Sequence, residues 1–238
     1  MTEISIIVPA YNEEKYLYRC LEALVNQDFD KDKYEIILVN NNSADKTKEI
    51  ALSFKKVKVI DEPRQGCVHA LIKGCKEARG KIFLFTDADS TAPKDWVSKY
   101  CKLYQTEKVV CASGPGRFRP IIWQTILFIE PSLYIIGIIT SLASGFNLSI
   151  RRKTYFEFGG FNPNINFNAD TYLQIKAKRL GKVIFLKNNF VITSNRHYKN
   201  LISISYILKG LTNFLCLFLF KKTLFYEFGN IRDEQKKS

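Results

Sequence analysis

Asp87 and Asp89 stand two residues apart in Phe83-Leu-Phe-Thr-Asp-Ala-Asp-Ser90, where an apolar run gives out into a polar loop. In an extended chain that spacing lets both carboxylates face one side. Hard divalent cations take oxygen ligands, and Mg²⁺ or Mn²⁺ is commonly held by one or two carboxylates together with substrate phosphates. An ion held in this way would bridge a diphosphate and neutralise the charge that develops on it as it departs. The plainer reading assigns the two aspartates to capping the turn and the helix after it. Spacing alone leaves both readings open.

The elements that must position this pair are legible in the first 113 residues. Ile4 to Pro9, Tyr34 to Asn40, Val57 to Asp61, Lys81 to Thr86 and Val109 to Ser113 read as short buried strands. Between them lie stretches of helical spacing. In the first, Tyr16, Leu17, Cys20, Leu21, Leu24 and Val25 form one apolar stripe. Asn12 is placed to cap that helix, with Glu13 and Glu14 in its first turn, and Ser43 and Pro93 mark the starts of two others. Strand, helix, strand in this rhythm predicts right-handed βαβ units: an α/β, Rossmann-like, mainly parallel sheet flanked by helices. Ligands of such sheets bind beyond the carboxyl ends of the strands. Pro9-Ala-Tyr-Asn-Glu13 follows the first strand without the GxGxxG of a dinucleotide site, which argues against an NAD or FAD enzyme. Asn40-Asn-Asn-Ser-Ala-Asp45 follows the second, and the aspartate pair follows the fourth.

Taken in order, Ile4-Ser-Ile-Ile-Val-Pro-Ala-Tyr-Asn-Glu-Glu14, Ile36-Ile-Leu-Val-Asn-Asn-Asn-Ser-Ala-Asp-Lys-Thr47 and Phe83 to Ser90 resemble the family 2 glycosyltransferases. Gly145-Phe-Asn-Leu-Ser-Ile-Arg151, Phe158-Gly-Gly-Phe161, Ala169-Asp-Thr-Tyr-Leu173 and Arg179-Leu-Gly-Lys182 continue the likeness, which spans roughly residues 3 to 197. The resemblance implies an inverting enzyme of the GT-A fold. Residues 1–113 would form its nucleotide-sugar half, 114–200 its acceptor half, and 201–238 an apolar helical appendage. It carries Pro9, Tyr11 and Glu13 to the nucleotide pocket, and Asn41 to a position where the family often has a base-reading aspartate. Asp89 becomes the ligand of a Mg²⁺ or Mn²⁺ ion, with Asp87 facing the sugar or ribose and available as a second ligand. Asp170 matches the catalytic base, and Arg196 and His197 can approach the diphosphate, His197 also the metal. The chemistry agrees: displacement with inversion needs a carboxylate to take the acceptor proton, and electrostatic stabilisation of the leaving diphosphate. For Asp170 the plainer reading is a first-turn residue favoured by the helix dipole, worth ~0.3–1 kcal/mol at an exposed site. For His197 it is a surface group.

The chain departs from the family pattern at three places. Asn40-Asn41-Asn42 replaces residues that many members have as acids, and an asparagine amide can donate as well as accept. Ala169 stands where a glutamate often precedes the base, and Leu71 where many members have arginine, so that a phosphate or base contact is either missing or supplied by Arg64 or Lys73. These losses keep a second reading open, a noncatalytic nucleotide-sugar or membrane-surface binding module of the same fold.

The chain has 238 residues, enough to bury a core without disulfides, and its six cysteines form no metal-ligand spacing. With no signal peptide legible at Met1-Thr-Glu-Ile-Ser-Ile, a reduced, cytoplasmic protein is expected. The formal charge of +13 is spread without a recognition-helix pattern, so nucleic acid is not expected as a partner. The expected partners are a nucleotide-diphospho-sugar donor and a glycan or lipid-linked acceptor that offers a hydroxyl or a phosphate. Ile121 to Ala143 approaches the ~20 residues of a membrane span, but Gln124, Glu130 and Pro131 interrupt it. A span there would also put Asp89 and Asp170 on opposite sides of the membrane. A helix at the acceptor face, partly buried or resting on lipid, is expected instead. Leu201 to Phe228, with Phe214 to Phe220 beside Lys221-Lys222, suits either a peripheral contact with the cytoplasmic membrane face or packing on the core or on a second copy.

Overall fold

The computed structural model describes residues 2–120, 127, 129–165, 168–196, 212 and 216. Strand β1 (Ile4–Ala10) lies between β2 (Tyr34–Asn40) and β4 (Ile82–Phe85), with β3 (Val57–Asp61) outside β2, all four parallel. The sheet continues through β7 (Leu148–Arg151), β5 (Val109–Ser113) and β8 (Lys182–Phe185) in the order β3-β2-β1-β4-β7-β5-β8. Only β7 runs against its neighbours β4 and β5. A separate parallel pair joins β6 (Gly116–Arg119) to β9 (Val191–Ser194). The mainly parallel sheet expected from the sequence is therefore present. Three of the five expected strands have the expected bounds, while the first extends to Ala10 and the fourth contracts to Ile82–Phe85.

Both faces of the sheet are covered, which is why its strands read as near-continuous apolar runs. Ile4, Ile6, Val8, Ile36 and Leu38 face a layer made by α1 (Leu17–Val25), α2 (Thr47–Leu52) and α4 (Trp96–Leu103). Ile7, Ile37 and Val39 face α3 (Cys67–Glu77), α6 (Arg152–Glu157) and α7 (Ala169–Ala177). Gly74 lets α3 lie close on the sheet, since a Cβ there would come within 2.5 Å of Ile7 Cγ2. Cys20, Cys75 and Cys111 are buried and pack as small apolar groups.

The helix starts differ from expectation. Asn12 does not cap α1: its φ is +53°, its Oδ1 accepts from the Ala44 N–H, and α1 begins only at Leu17. The Glu13 carbonyl, not a side chain, receives the N–H groups of Tyr16 and Leu17, so Glu13 and Glu14 precede the helix rather than lie in its first turn. Ser43 Oγ accepts from the Asn12 N–H while Asp45 accepts from the Thr47 N–H, so Asp45 is the residue whose side chain serves the start of α2. Pro93 lies in the turn before α4, whose first residue is Trp96. Loop-to-loop bonds took the polar groups that a local reading assigns to caps.

The apolar stretch from 121 contributes α5 (Glu130–Thr140), and among the described residues no helix is long and apolar enough to cross a membrane. The carboxylate of Glu130 has a protein partner, accepting the Phe118 N–H at 2.7 Å. One side of α5 packs through Tyr134 on Phe185 and Phe190, with Gly137 against Phe185. The other side exposes Ile135, Ile138 and Ile139, and Leu127 before it is also exposed. The expected appendage over 201–238 lies outside the described residues apart from 212 and 216, and His197 is not among those described.

Candidate active site

Three loops meet where β1, β2 and β4 end. Beyond β1, the Glu13 N–H donates to Thr47 Oγ1 at 2.6 Å and the Glu14 N–H to Asp45, which clamps the first loop to the start of α2. Pro9 pairs with Val39 at the edge of this region, and Tyr11 follows it, partly buried. Beyond β4, Asp87 and Asp89 are partly buried around α1: the Cys20 thiol donates to the Asp87 carbonyl at 3.5 Å. Burial, with the charges of Asp89, Asp87 and Glu13 around it, pushes that thiol far up, so it stays protonated.

Arg196 enters this acidic rim from the far end of the chain. The route is set by backbone and side-chain bonds between the Asp89 loop and β9. Thr91 and Ile192 exchange N–H···O bonds of 2.7 and 3.0 Å, and Ser90 Oγ donates to Thr193 Oγ1 at 2.9 Å. Arg196 then donates from Nη1 and Nη2 to the two carboxylate oxygens of Glu13, at 2.8 and 2.5 Å. Its Nη2 also lies 2.9 Å from Asp89 Oδ2, and the guanidinium sits over the Tyr16 ring at 5.1 Å. These side chains are 17% (Arg196), 2% (Glu13) and 4% (Asp89) exposed, so the pair is not a surface ion pair of negligible worth. Burial opposes the guanidinium charge, but the Glu13 hydrogen bonds and the Asp89 and Glu13 charges outweigh it and raise its pKa further.

Asn41 is buried and its amide is committed to the chain's own backbone. Nδ2 donates to the carbonyls of Glu62 and Arg64 at 2.8 and 2.7 Å, and Oδ1 accepts the Gly66 N–H at 2.7 Å. It braces the loop between β3 and α3, and only the second lone pair of Oδ1 remains for a ligand. In the same loop Arg64 holds Glu62, whose carboxyl is pushed down to about 2 by that hydrogen-bonded pair against its burial. Arg64 is thereby engaged beside the loop, the region where Leu71 leaves no cation.

Asp170 lies in the first turn of α7, which Asn168 precedes with a left-handed φ of +57° that turns the chain into the helix. Gly145 lies against its carboxylate, where an added Cβ would come 3.4 Å from Oδ2. Because Gly145–Asn147 leads directly into the antiparallel β7, this contact sets Asp170 on the edge of the sheet where Asp87 and Asp89 emerge. Burial raises the Asp170 pKa, partly offset by the backbone N–H groups of Thr171, Gly145 and Asp170 itself. Thr171 N–H donates to Oδ1 at 2.8 Å.

Two residues that hold this arrangement carry no catalytic signature in sequence. Gln174 bonds both the N–H and the carbonyl of Ala143 and the Asp170 carbonyl, pinning the 140s loop to α7. Asn147, fully buried, accepts from Trp96 Nε1 and the Tyr100 hydroxyl and donates to the carbonyls of Pro115 and Asn189. Their only sequence signal is a polar amide inside an apolar segment, Phe146-Asn147-Leu148 and Leu173-Gln174-Ile175.

The donor set suits a hard divalent ion. Among the described residues no three His, Cys, Asp or Glu side chains converge on one point. Two carboxylates and a diphosphate suffice for Mg²⁺ or Mn²⁺, and a guanidinium already resting on Asp89 shows that this spot favours positive charge.

Comparison with known proteins agrees with this layout. Residues 5–156 match the profile described as Glycosyl transferase family 2. Over 114 residues the chain is 34% identical to the dolichyl N-acetyl-alpha-D-glucosaminyl phosphate 3-beta-D-2,3-diacetamido-2,3-dideoxy-beta-D-glucuronosyltransferase of Methanococcus voltae. That match covers 45% of this chain and 36% of the relative, so the chain spans about a third of that protein's length. Among solved structures it superposes on the mannosyltransferase PcManGT of Pyrobaculum calidifontis, in complex with GDP-Man and Mn²⁺, with a TM-score of 0.75 at 21% identity. That superposition covers 90% of this chain and 63% of the other. The S. aureus TarS fragment 1–349 with UDP-GlcNAc gives a TM-score of 0.67 at 20% identity, over 82% and 59% of the two chains. These likenesses show the GT-A fold, and with the profile match over its first two thirds the chain belongs to glycosyl transferase family 2.

Proposed function

We propose that the protein transfers a glycosyl group, with inversion, from a nucleoside-diphosphate sugar to an acceptor hydroxyl. Asp170 acts as base and Asp89, with Asp87, as the carboxylate seat of a divalent ion. The observation that carries this reading is the pairing of two unlike acidic positions on one sheet edge. Asp170 is a carboxylate whose pKa burial raises, beside Gly145, and Asp89 is a carboxylate that already holds a cation. A raised pKa makes Asp170 a better proton acceptor while the backbone N–H groups of Thr171 and Gly145 keep it oriented. As the acceptor oxygen bonds to the anomeric carbon, its proton passes to Asp170 and the C–O bond to the diphosphate breaks, the electron pair leaving with the diphosphate. Asp89, with Asp87, would hold a Mg²⁺ or Mn²⁺ ion, which would supply positive charge to that leaving group. Glu13, Tyr11 and Pro9 line the nucleotide side, Asn41 holds the loop that borders it, and Arg196 supplies a guanidinium there. His197 is a further candidate ligand outside the described residues. The Mn²⁺ complex of PcManGT supports metal use, and the GDP-Man and UDP-GlcNAc complexes leave either base possible for the donor.

An acceptor phosphate would arrive already ionised and need no base, so the environment of Asp170 favours a hydroxyl. We place the acceptor at a lipid surface, because Ile135, Ile138 and Ile139 are exposed on the helix that leads through Thr140–Gly145 to Asp170. The naming of the M. voltae relative for a dolichyl-linked substrate supports this.

The deciding experiment titrates UDP- and GDP-sugars with and without Mn²⁺ against wild type and Asp89→Ala, reading melting temperature and donor turnover. A donor that stabilises only with metal and only in wild type, and is turned over by wild type alone, supports the transferase. Stabilisation without turnover of any donor supports the binding module, for which the committed amide of Asn41 is the favourable observation.

A further inference from the structure

The acidic rim already carries a cation that belongs to the chain. Arg196 is chelated by both oxygens of Glu13 and shares Asp89 Oδ2 through Nη2, with the Tyr16 ring beneath it. The Glu13 and Asp89 side chains are buried and that of Arg196 is largely so, which leaves water little room to compete and screens the attraction only weakly. The backbone that delivers Arg196 is anchored by the Thr91–Ile192 and Ser90–Thr193 bonds and by the Asn195 N–H on the Arg119 carbonyl at 3.0 Å. Exchange at Asp89 therefore asks for a side-chain rotation and not for unfolding of β9. Among the described residues, Nη1 bonds Glu13 alone while Nη2 bridges Glu13 and Asp89. Nε is buried without a partner among the described residues, so none of them adds a bond that holds the group in its present rotamer.

A divalent ion bound to Asp89 would lie within a few ångströms of this guanidinium. Two cations that close, in a buried setting, repel strongly. We propose that Arg196 is an internal counter-cation of the donor site. It occupies Asp89 in the ligand-free protein, must release it for a metal to bind, and can keep its Nη1 bond to Glu13 while doing so. Arg196 is then a positioning residue that sets the metal affinity of the site and holds the acidic rim together when no donor is present. The proposal rests on the assignment of Asp89 as the metal seat.

The test is a Mn²⁺ titration without nucleotide, followed by calorimetry and by the loss of the free-ion paramagnetic signal, on wild type, Arg196→Gln, Arg196→Lys and Asp89→Asn. Arg196→Gln should bind Mn²⁺ about tenfold or more tightly than wild type. Its metal-free melting temperature should fall, and the metal should raise it by more than it does in wild type. Arg196→Lys, which cannot chelate Glu13 and reach Asp89 together, should lie between the two and serves if Arg196→Gln does not fold. Equal, weaker or undetectable Mn²⁺ binding by the Arg196 variants, while Asp89→Asn abolishes the binding of wild type, overturns the counter-cation role and leaves the metal seat intact. Undiminished binding by Asp89→Asn overturns both.

Discussion

At the scale of single residues, the carboxylate group does opposite work in Asp170 and in Glu62. Asp170 gains a proton affinity above that of an ordinary aspartate because burial outweighs three backbone N–H groups. Glu62 loses affinity because Arg64 holds its charged form. As a base Asp170 must be ionised, so the acid limb of kcat/KM should fall at a pH above the usual aspartate range. Asp170→Asn should lower kcat roughly 10²–10⁴-fold toward a hydroxyl acceptor, measured by product formation. At neutral pH it should unfold at or slightly above the wild-type temperature, because burial disfavours the charge that the substitution removes. Asn41 makes the second prediction. Its two N–H bonds end on carbonyls, so an aspartate in the same place would face the Glu62 and Arg64 oxygens with none to donate. Asn41→Asp should therefore cost about 2–3 kcal/mol in urea denaturation, although family members often have an acid here.

At the scale of elements, the site depends on how β7, α4 and α7 are fastened together. Asn147 uses its full capacity of two acceptor and two donor bonds to tie α4 to the loops before β6 and β9. Asn147→Ala would strand Trp96 Nε1 and the Asn189 carbonyl in the core and take one bond each from the Tyr100 hydroxyl and the Pro115 carbonyl, which keep the residue 147 carbonyl and the Val191 N–H, and should destabilise by about 2–3 kcal/mol. The same substitution should raise KM for the donor, since β9 carries Arg196 to Glu13. For α5, replacing Ile138 and Ile139 by aspartate should leave the melting temperature nearly unchanged, as both are exposed, and should reduce sedimentation with anionic vesicles.

At the scale of the whole molecule, charge and topology act together. The formal charge is already +13, so acidification adds repulsion to a chain of one sign. Glu62 has a folded pKa depressed from 4.5 to about 2, so its contribution is present above about pH 4.5 and is lost as pH falls toward 2. Asp45 and Asp61 are shifted in the same direction, the first by the Thr47 hydroxyl against its burial and the second by Asn40 and Lys48. Asp170 runs the other way: its raised pKa favours the fold at low pH and that contribution is lost as pH rises through the folded value. Melting temperature should therefore drop between about pH 4.5 and 2, and Glu62→Gln should flatten that drop, as thermal scans across the range would show.

What the amino-acid order determined by itself is the alternating frame. Continuous apolar runs such as Ile36 to Val39 are best satisfied by a sheet covered on both faces, and this placed Asp87 and Asp89 at a carboxyl edge. The ordered motifs likewise led to the family and to Asp170. The tertiary structure decided which polar groups meet. Asn12 and Ser43 bond each other's loop instead of capping helices, because a long-range partner was nearer than the local one. Asn41 went to the backbone of the loop after β3, and Arg196 to Glu13, across 183 residues of sequence. Periodicity reports which face of an element is apolar, whereas the partner of a buried charge is set by crossovers and loop lengths that no local pattern encodes.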